Sequence, residues 1–169
     1  GEQTAKMITA IEQILVDRKP DMVVIYGDTN STLAGALAAA KIDIPVAHIE
    51  AGLRSFNREM PEEINRLVAD HVSDLLLAPT ETAMMNLRNE NLADRAFKSG
   101  DVMLDAVLFN SRLAEQRTEI LRKLDLLPKS YAVATLHRPV NTDSGQLPRV
   151  LDILAEIAVN KIPVVFLAH

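Results

Sequence analysis

Short apolar runs alternate with stretches of helical period along the 169-residue chain. Ile8, Ile11, Ile14 and Leu15 share one helical face, and the helix they predict ends before Lys19-Pro20, because proline disfavours the α conformation in the residue before it. Met22 to Tyr26 is continuous and β-branched and is closed by Gly27, the pattern of a buried strand. Thr32 to Ala40 is Ala-rich and helical by propensity. Pro45 to Ile49 predicts a second strand, and Asp74 to Leu77 with Ala78 a third. Helices are predicted over Glu62 to Asp70, Thr82 to Glu90 and Asp101 to Arg117, with a short strand at Phe97-Lys98-Ser99. Such alternation predicts an α/β fold, a parallel sheet with helices on both faces.

A charged stretch from Glu115 to Lys129 separates this run from a second one. There Tyr131 to Leu136 and Ile162 to Leu167 predict strands around a helix over Gln146 to Val159. One βαβ unit is too little to bury both faces of its own sheet. The division predicted is residues 1–124 as an N-terminal Rossmann-like domain lacking its first strands, and 125–169 as the start of a second. The chain stops at His169 directly after a strand, so the expectation is a piece of a larger α/β protein, truncated at both ends.

Composition narrows the chemistry. With 48% apolar residues and a mean hydropathy of +0.07, the chain has the content of a globular core. Two Tyr, four Phe and no Trp argue against stacked-ring carbohydrate modules and aromatic nucleic-acid platforms. A net charge of −5 weakens a nucleic-acid partner further. The absence of Cys excludes disulfides, thiol catalysis and Cys-ligated metal. No apolar run reaches the ~20 residues of a membrane span, and Gly1 to Lys6 has no signal-peptide core, so a cytoplasmic setting is expected.

Ligands of open α/β sheets bind beyond the carboxyl ends of the strands. Those ends here hold Gly27-Asp28-Thr29-Asn30-Ser31-Thr32, Glu50-Ala51-Gly52-Leu53-Arg54, Pro79-Thr80-Glu81, Gly100-Asp101, His137-Arg138-Pro139 and His169. Thr29, Asn30 or Ser31 can bind an anion at a helix start or simply cap the helix. Glu50 ends an apolar strand and must pair, be protonated or do chemistry, and Arg54 is its nearest candidate partner. Met60-Pro61-Glu62-Glu63 reads as a helix start with acids in its opening turn, where Glu62 can pair with Arg66 at i,i+4. Three carboxylates on one edge can split their pKa values and so supply both an acid and a base. His137-Arg138 suits a phosphate. His48 inside a strand and His71 at a helix end read as packing or capping residues. Asp74, Glu81 and Asp101 read as residues of helix and strand termini. The four histidines show no metal-ligand spacing.

These segments resemble the non-hydrolysing UDP-N-acetylglucosamine 2-epimerases. Gly27 to Thr32, His48 to Arg54, Met60 to Arg66, Pro79-Thr80-Glu81 with Asn86-Leu87, Ser99-Gly100-Asp101 with Asp105-Ala106, and Thr135 to Pro139 come in the family's order across almost the whole chain. Hydrolysing epimerases fit less well, lacking the His-x-Glu-Ala-Gly-Leu-Arg and Pro-Glu-Glu patterns. The resemblance implies a two-domain fold of the glycosyltransferase-B type with the nucleotide sugar between Rossmann-like halves. It implies elimination of UDP from UDP-GlcNAc to 2-acetamidoglucal, then re-addition to give UDP-ManNAc for cell-envelope polysaccharides. Asp28, Glu50, Glu62 and His137 match the catalytic positions; Thr29, Asn30, Arg54, Arg138 and His169 are the expected substrate contacts. No cofactor and no metal are expected, UDP-GlcNAc and UDP are the expected partners, and the full-length protein is expected to be a homodimer.

The family's Gly-Thr-Arg-Pro-Glu loop and its uridine pocket fall outside these 169 residues, so the chain alone is expected to be inactive. Two alternatives remain from sequence. One is another glycosyltransferase-B enzyme that moves a sugar to an acceptor; the other is a nucleotide-sugar-binding fragment without catalysis.

Overall fold

The computed structural model describes residues 1–136, 142–143 and 145–167. It divides into two compact units, Gly1–Leu108 and Phe109–His169.

The first unit holds a four-stranded sheet in the order β1-β2-β3-β4, formed by Val23–Tyr26, Val46–Ile49, Leu75–Ala78 and Ala96–Lys98. All three pairings are parallel. Helix α1 (Glu2–Arg18) precedes β1, helices α2 (Asn30–Lys41), α3 (Pro61–Val72) and α4 (Glu81–Asn89) fill the three crossovers, and α5 (Val102–Arg117) follows β4 and runs on into the second unit. Each boundary has a local cause. Lys19, in the left-handed region at φ 47°, closes α1 ahead of Pro20. Thr29 and Thr80 cap α2 and α4, accepting from the Thr32 and Ala83 amides, and Pro61 opens α3, where a missing N–H costs nothing.

On one face of the sheet Leu15, Ile25, Ala36, Ala38, Ala39, Val46 and Ala69 form a buried cluster. The small residues of α2 let it lie close to β1; a Cβ on Gly35 would stand 3.2 Å from Ile25 Cγ2. A second cluster of Ala51, Leu76, Ala78, Ala83, Leu87, Leu92 and Ala96 packs α4 against β3 and β4. Burial on this face is the main stabilising term, at roughly 25 cal/mol per Å² of apolar surface.

The other face differs from the sequence expectation of helices on both sides. Register aligns Val24 with Ala47 and Leu75, and Tyr26 with Ile49, Leu77 and Phe97. Val24 and Tyr26 remain 50% and 59% exposed, Phe97 is exposed too, and α5 buries none of its residues. The run Met22 to Tyr26 is therefore a strand, but a half-covered one. Side chains alternate between faces, and the helices α1 to α4 cover only the face that carries Ile25.

The second unit contains a short helix α6 (Ile120–Lys123), which the charged pattern did not announce, and strands β5 (Ala132–Thr135) and β6 (Val164–Leu167) in parallel register. Helix α7 (Leu147–Asn160) joins them, completing the expected βαβ unit. Among the described residues no helix is long and apolar enough to cross a membrane.

One glycine bears on the site below. Gly52 has φ +80°, and a Cβ there would stand 2.5 Å from the Ala83 carbonyl oxygen and 2.8 Å from Leu87 Cγ. Gly52→Ala is expected to cost about 2–4 kcal/mol through strain and clash in a buried turn. Urea unfolding of the full-length protein measures it; a cost below 0.5 kcal/mol would contradict this packing.

Candidate active site

Strands β1 and β2 end side by side at Tyr26 and Ile49. The ladder runs one step further, with the Gly27 amide donating to the Ile49 carbonyl at 3.1 Å and the Ala51 amide to the Leu77 carbonyl at 3.1 Å. The chain then turns sharply: Gly27 has φ 62° and Glu50 has φ 73°. A left-handed conformation at a non-glycine residue costs of order 1 kcal/mol or more, so the surrounding structure must hold it there. The turn lays the Glu50 carboxylate over Gly27, where a Cβ would stand 3.4 Å from Glu50 Oε2. Asp28 is the next residue, so two of the acids expected at this edge lie on adjoining strand ends.

Asp28 is held from α3. Arg66 donates to its Oδ2 from Nε at 2.9 Å and from Nη2 at 2.6 Å, and Asn65 donates to the Asp28 carbonyl at 2.8 Å. Arg66 was expected to pair with Glu62 on its own helix; it reaches Asp28 and Glu63 instead. Glu62 projects from the first turn of α3 as an exposed side chain.

Its neighbour Glu63 is buried and was not singled out from sequence. It accepts from the Ser55 amide at 2.8 Å, the Ser55 hydroxyl at 2.9 Å, the Phe56 amide at 2.9 Å and Arg66 Nη1 at 3.0 Å. Burial alone would raise its pKa; these donors outweigh burial and hold the carboxyl down to about 2. The signal was present. Glu63 is the third residue after the cap Met60, the position from which an acid reaches back to the preceding loop.

Beneath the edge lies a buried polar network. His48 and Asp70 side chains are both 0% exposed, and His48 Nδ1 lies 2.7 Å from Asp70 Oδ1. On its other side His48 Nε2 lies 2.8 Å from the Gly27 carbonyl oxygen. Asp70 Oδ2 accepts from the Gly52 amide at 3.0 Å and pairs with Arg54 Nη1 at 2.7 Å. Arg54 also grips both carboxylate oxygens of Glu90 at 2.7 Å. Burial works to lower the Arg54 pKa, but Glu90 and Asp70 more than reverse that, so the guanidinium holds its proton more tightly.

This settles where the remaining expected residues stand. Arg54, expected to pair with Glu50 or to touch substrate, has a side chain 1% exposed and is taken up by Asp70 and Glu90. Thr29 Oγ1 caps α2, bonded to the Thr32 amide and to Ser31 Oγ. Asn30 is bridged to Gln3 and Asn65. His48 packs as expected, with two polar partners. His71 bonds the Leu67 carbonyl, Asp74 accepts from the Val46 amide, Glu81 pairs with Lys98 and Asp101 caps α5. Among the described residues no group of His, Cys, Asp and Glu is arranged to hold a metal ion. His137, Arg138 and His169 lie outside the described residues.

A parallel α/β sheet with acids gathered beyond the carboxyl ends of its strands belongs to the class of α/β proteins that bind a ligand at that edge. The family described as UDP-N-acetylglucosamine 2-epimerase matches residues 1–169, and the chain belongs to that family. It is 46% identical over 161 residues to UDP-N-acetylglucosamine 2-epimerase of Methanocaldococcus jannaschii, covering 93% of this chain and 44% of the relative. It is 47% identical over 173 residues to UDP-2,3-diacetamido-2,3-dideoxy-D-glucuronate 2-epimerase of Pseudomonas aeruginosa, covering all of this chain and 48% of that one. The crystal structure of the M. jannaschii UDP-GlcNAc 2-epimerase in complex with UDP-GlcNAc and UDP matches at TM-score 0.88 and 44% identity, over 100% of this chain and 48% of that one. The chain thus spans about half the length of the relatives it matches.

The depressed Glu63 pKa has a stability consequence. Its contribution is fully present above about 4.5, the carboxyl's ordinary value, and is lost as pH falls toward about 2. Glu63→Gln is expected to cost about 3 kcal/mol at pH 7, and its gap to the wild type should narrow by about 2 kcal/mol at pH 3. Urea unfolding of both proteins at the two pH values checks this. A gap independent of pH would contradict the assignment.

Proposed function

We propose that the full-length protein containing this chain is a UDP-GlcNAc 2-epimerase that interconverts UDP-GlcNAc and UDP-ManNAc. The observation that carries the reading is the pairing of Asp28 and Glu50 on adjoining strand ends, Asp28 oriented by Arg66 and Glu50 turned over Gly27 by a left-handed backbone. The fold, the family and the M. jannaschii complex support it.

The chemistry asks for such a pair. A base takes the C2 proton of the sugar as the C1–O bond to the diphosphate breaks, and the bond electrons leave with UDP, giving 2-acetamidoglucal. UDP then re-adds at C1 while a proton returns to the opposite face of C2. Removal from one face and return to the other require proton-transfer groups on both, each worth roughly 10²–10⁴ in rate. Asp28, Glu50 and Glu62 are the proposed carboxylates, with His137 as a fourth catalytic residue and Arg138 and His169 as diphosphate contacts. Thr29 and Asn30 lie beside Asp28 and are proposed to line the substrate. Arg54 is proposed to brace the Glu50 loop rather than to bind substrate, since Asp70 and Glu90 occupy its guanidinium. Residues 1–124 and 125–169 are proposed as parts of the two domains, and the full-length protein as a cytoplasmic homodimer.

A second substrate has a specific argument. The P. aeruginosa relative, which matches the whole chain at 47% identity, carries the name of a 2-epimerase acting on UDP-2,3-diacetamido-2,3-dideoxy-D-glucuronate. The bonds made and broken at C1 and C2 are the same for both sugars, so the carboxylate pair serves either. Assaying both nucleotide sugars with the full-length protein distinguishes them.

Asp28→Asn is expected to lower turnover by at least about 10²-fold while leaving the far-ultraviolet circular dichroism unchanged. The 169-residue chain assayed beside it is expected to be inactive. Wild-type turnover in Asp28→Asn would overturn the catalytic assignment, and epimerisation by the 169-residue chain would overturn the need for the rest of the protein.

A further inference from the structure

His48 sits between two groups that, in their ordinary states, only accept hydrogen bonds. Its Nδ1 is 2.7 Å from Asp70 Oδ1 and its Nε2 is 2.8 Å from the Gly27 carbonyl oxygen, and the ring is fully buried. A neutral imidazole has one donor and one acceptor nitrogen, so it would turn a lone pair toward one of these oxygens. At such distances inside a protein that contact is costly. The His48–Asp70 pair must therefore hold one proton more than a neutral ring beside a carboxylate. The neighbours decide where that proton sits. Asp70 Oδ2 receives the Gly52 amide and the Arg54 guanidinium, both of which favour negative charge on Asp70. The proton then belongs on the ring.

We propose that the buried His48 ring carries a proton on both nitrogens and is a positioning residue for the acids of this edge. The charges balance within the cluster: His48 and Arg54 are positive, Asp70 and Glu90 negative. Nδ1–H donates to Asp70 and Nε2–H to Gly27, which makes a rigid line from α3 through β2 to the turn after β1. At one end the line fixes the backbone of Gly27, whose successor is Asp28. At the other, Asp70 holds the Gly52 amide, two residues beyond Glu50. The same two carboxylates are thereby set at a fixed spacing from beneath, on the side away from the open edge. His48 touches no substrate in this arrangement and acts only through the backbone it grips. The kinetic part of this proposal rests on the epimerase reading; the protonation state does not.

Nitrogen-15 spectroscopy of histidine side chains in the full-length protein tests the first part, with the His48 signals assigned by their loss in His48→Gln. Both ring nitrogens of His48 are expected to carry protons at pH 7. A ring with one protonated and one bare nitrogen would overturn the proposal, whatever the enzyme's activity. Asp70→Asn tests the second part. The amide cannot accept from Gly52, Arg54 and His48 together, so the His48 signals should move to the neutral pattern. The turnover number should fall about tenfold or more while KM stays within about threefold, as misplacement of catalytic groups predicts. Turnover within twofold of wild type, or a KM change that accounts for the whole loss, would overturn the positioning role. If Asp70→Asn does not fold, the wild-type spectrum still decides the protonation state, and His48→Gln turnover decides the role. Normal spectra with no epimerase activity in the wild type would instead count against the proposed function.

Discussion

Asp70 carries more of this structure than its place in a helix suggests. One buried carboxylate ties a histidine of β2, the amide of Gly52 and a guanidinium that also holds Glu90 at the C-terminal end of α4. Breaking one partner out of a buried ion pair costs about 3–5 kcal/mol, because the charge left behind has no water to replace it. The network is fully satisfied: among the described residues no buried side-chain nitrogen or oxygen lacks a partner. Such networks contribute less to stability than to specificity, since only one arrangement of the strand ends meets every hydrogen bond. Here that arrangement is the one that sets Asp28 beside Glu50.

Helix α3 supplies the connection between fold and site. Glu63, Arg66 and Asp70 fall at i, i+3 and i+7 and form a polar stripe along one side of the helix. Glu63 anchors the loop at Ser55 and Phe56, Arg66 orients Asp28, and Asp70 holds the network beneath. Ordinary amphipathic helices turn such a stripe to solvent. In α3 Glu63 and Asp70 are instead buried against the strand ends, while Glu62 alone of these acids points outward.

The fold was legible because its signals are local. MVVIY and PVAHI are contiguous apolar runs, and Thr29, Thr80 and Pro61 mark helix starts by their own chemistry. The acids at the strand ends were legible for the same reason, since the end of a strand shows in the sequence. What stayed hidden depends on partners far along the chain. Arg54 reads as a neighbour of Glu50, yet it pairs with Glu90, thirty-six residues on. Arg66 reads as the i+4 partner of Glu62, yet Asp28 claims it across the sheet edge. Asp70 reads only as the last residue of a predicted helix until β2 brings His48 against it. Hydrophobicity likewise announced that Val24 and Tyr26 would be covered, but not by what, and α1 to α4 leave that face of the sheet exposed.

The central claim is that the carboxylates of this edge move the proton at C2 of a nucleotide sugar. Incubating the full-length protein with UDP-GlcNAc in deuterium oxide and following the sugar C2 by NMR tests it most directly. Proton removal and return through Asp28 and Glu50 predicts deuterium at C2 of the UDP-ManNAc formed, with incorporation lost in Asp28→Asn. Epimerisation that retained the original C2 proton would contradict the account.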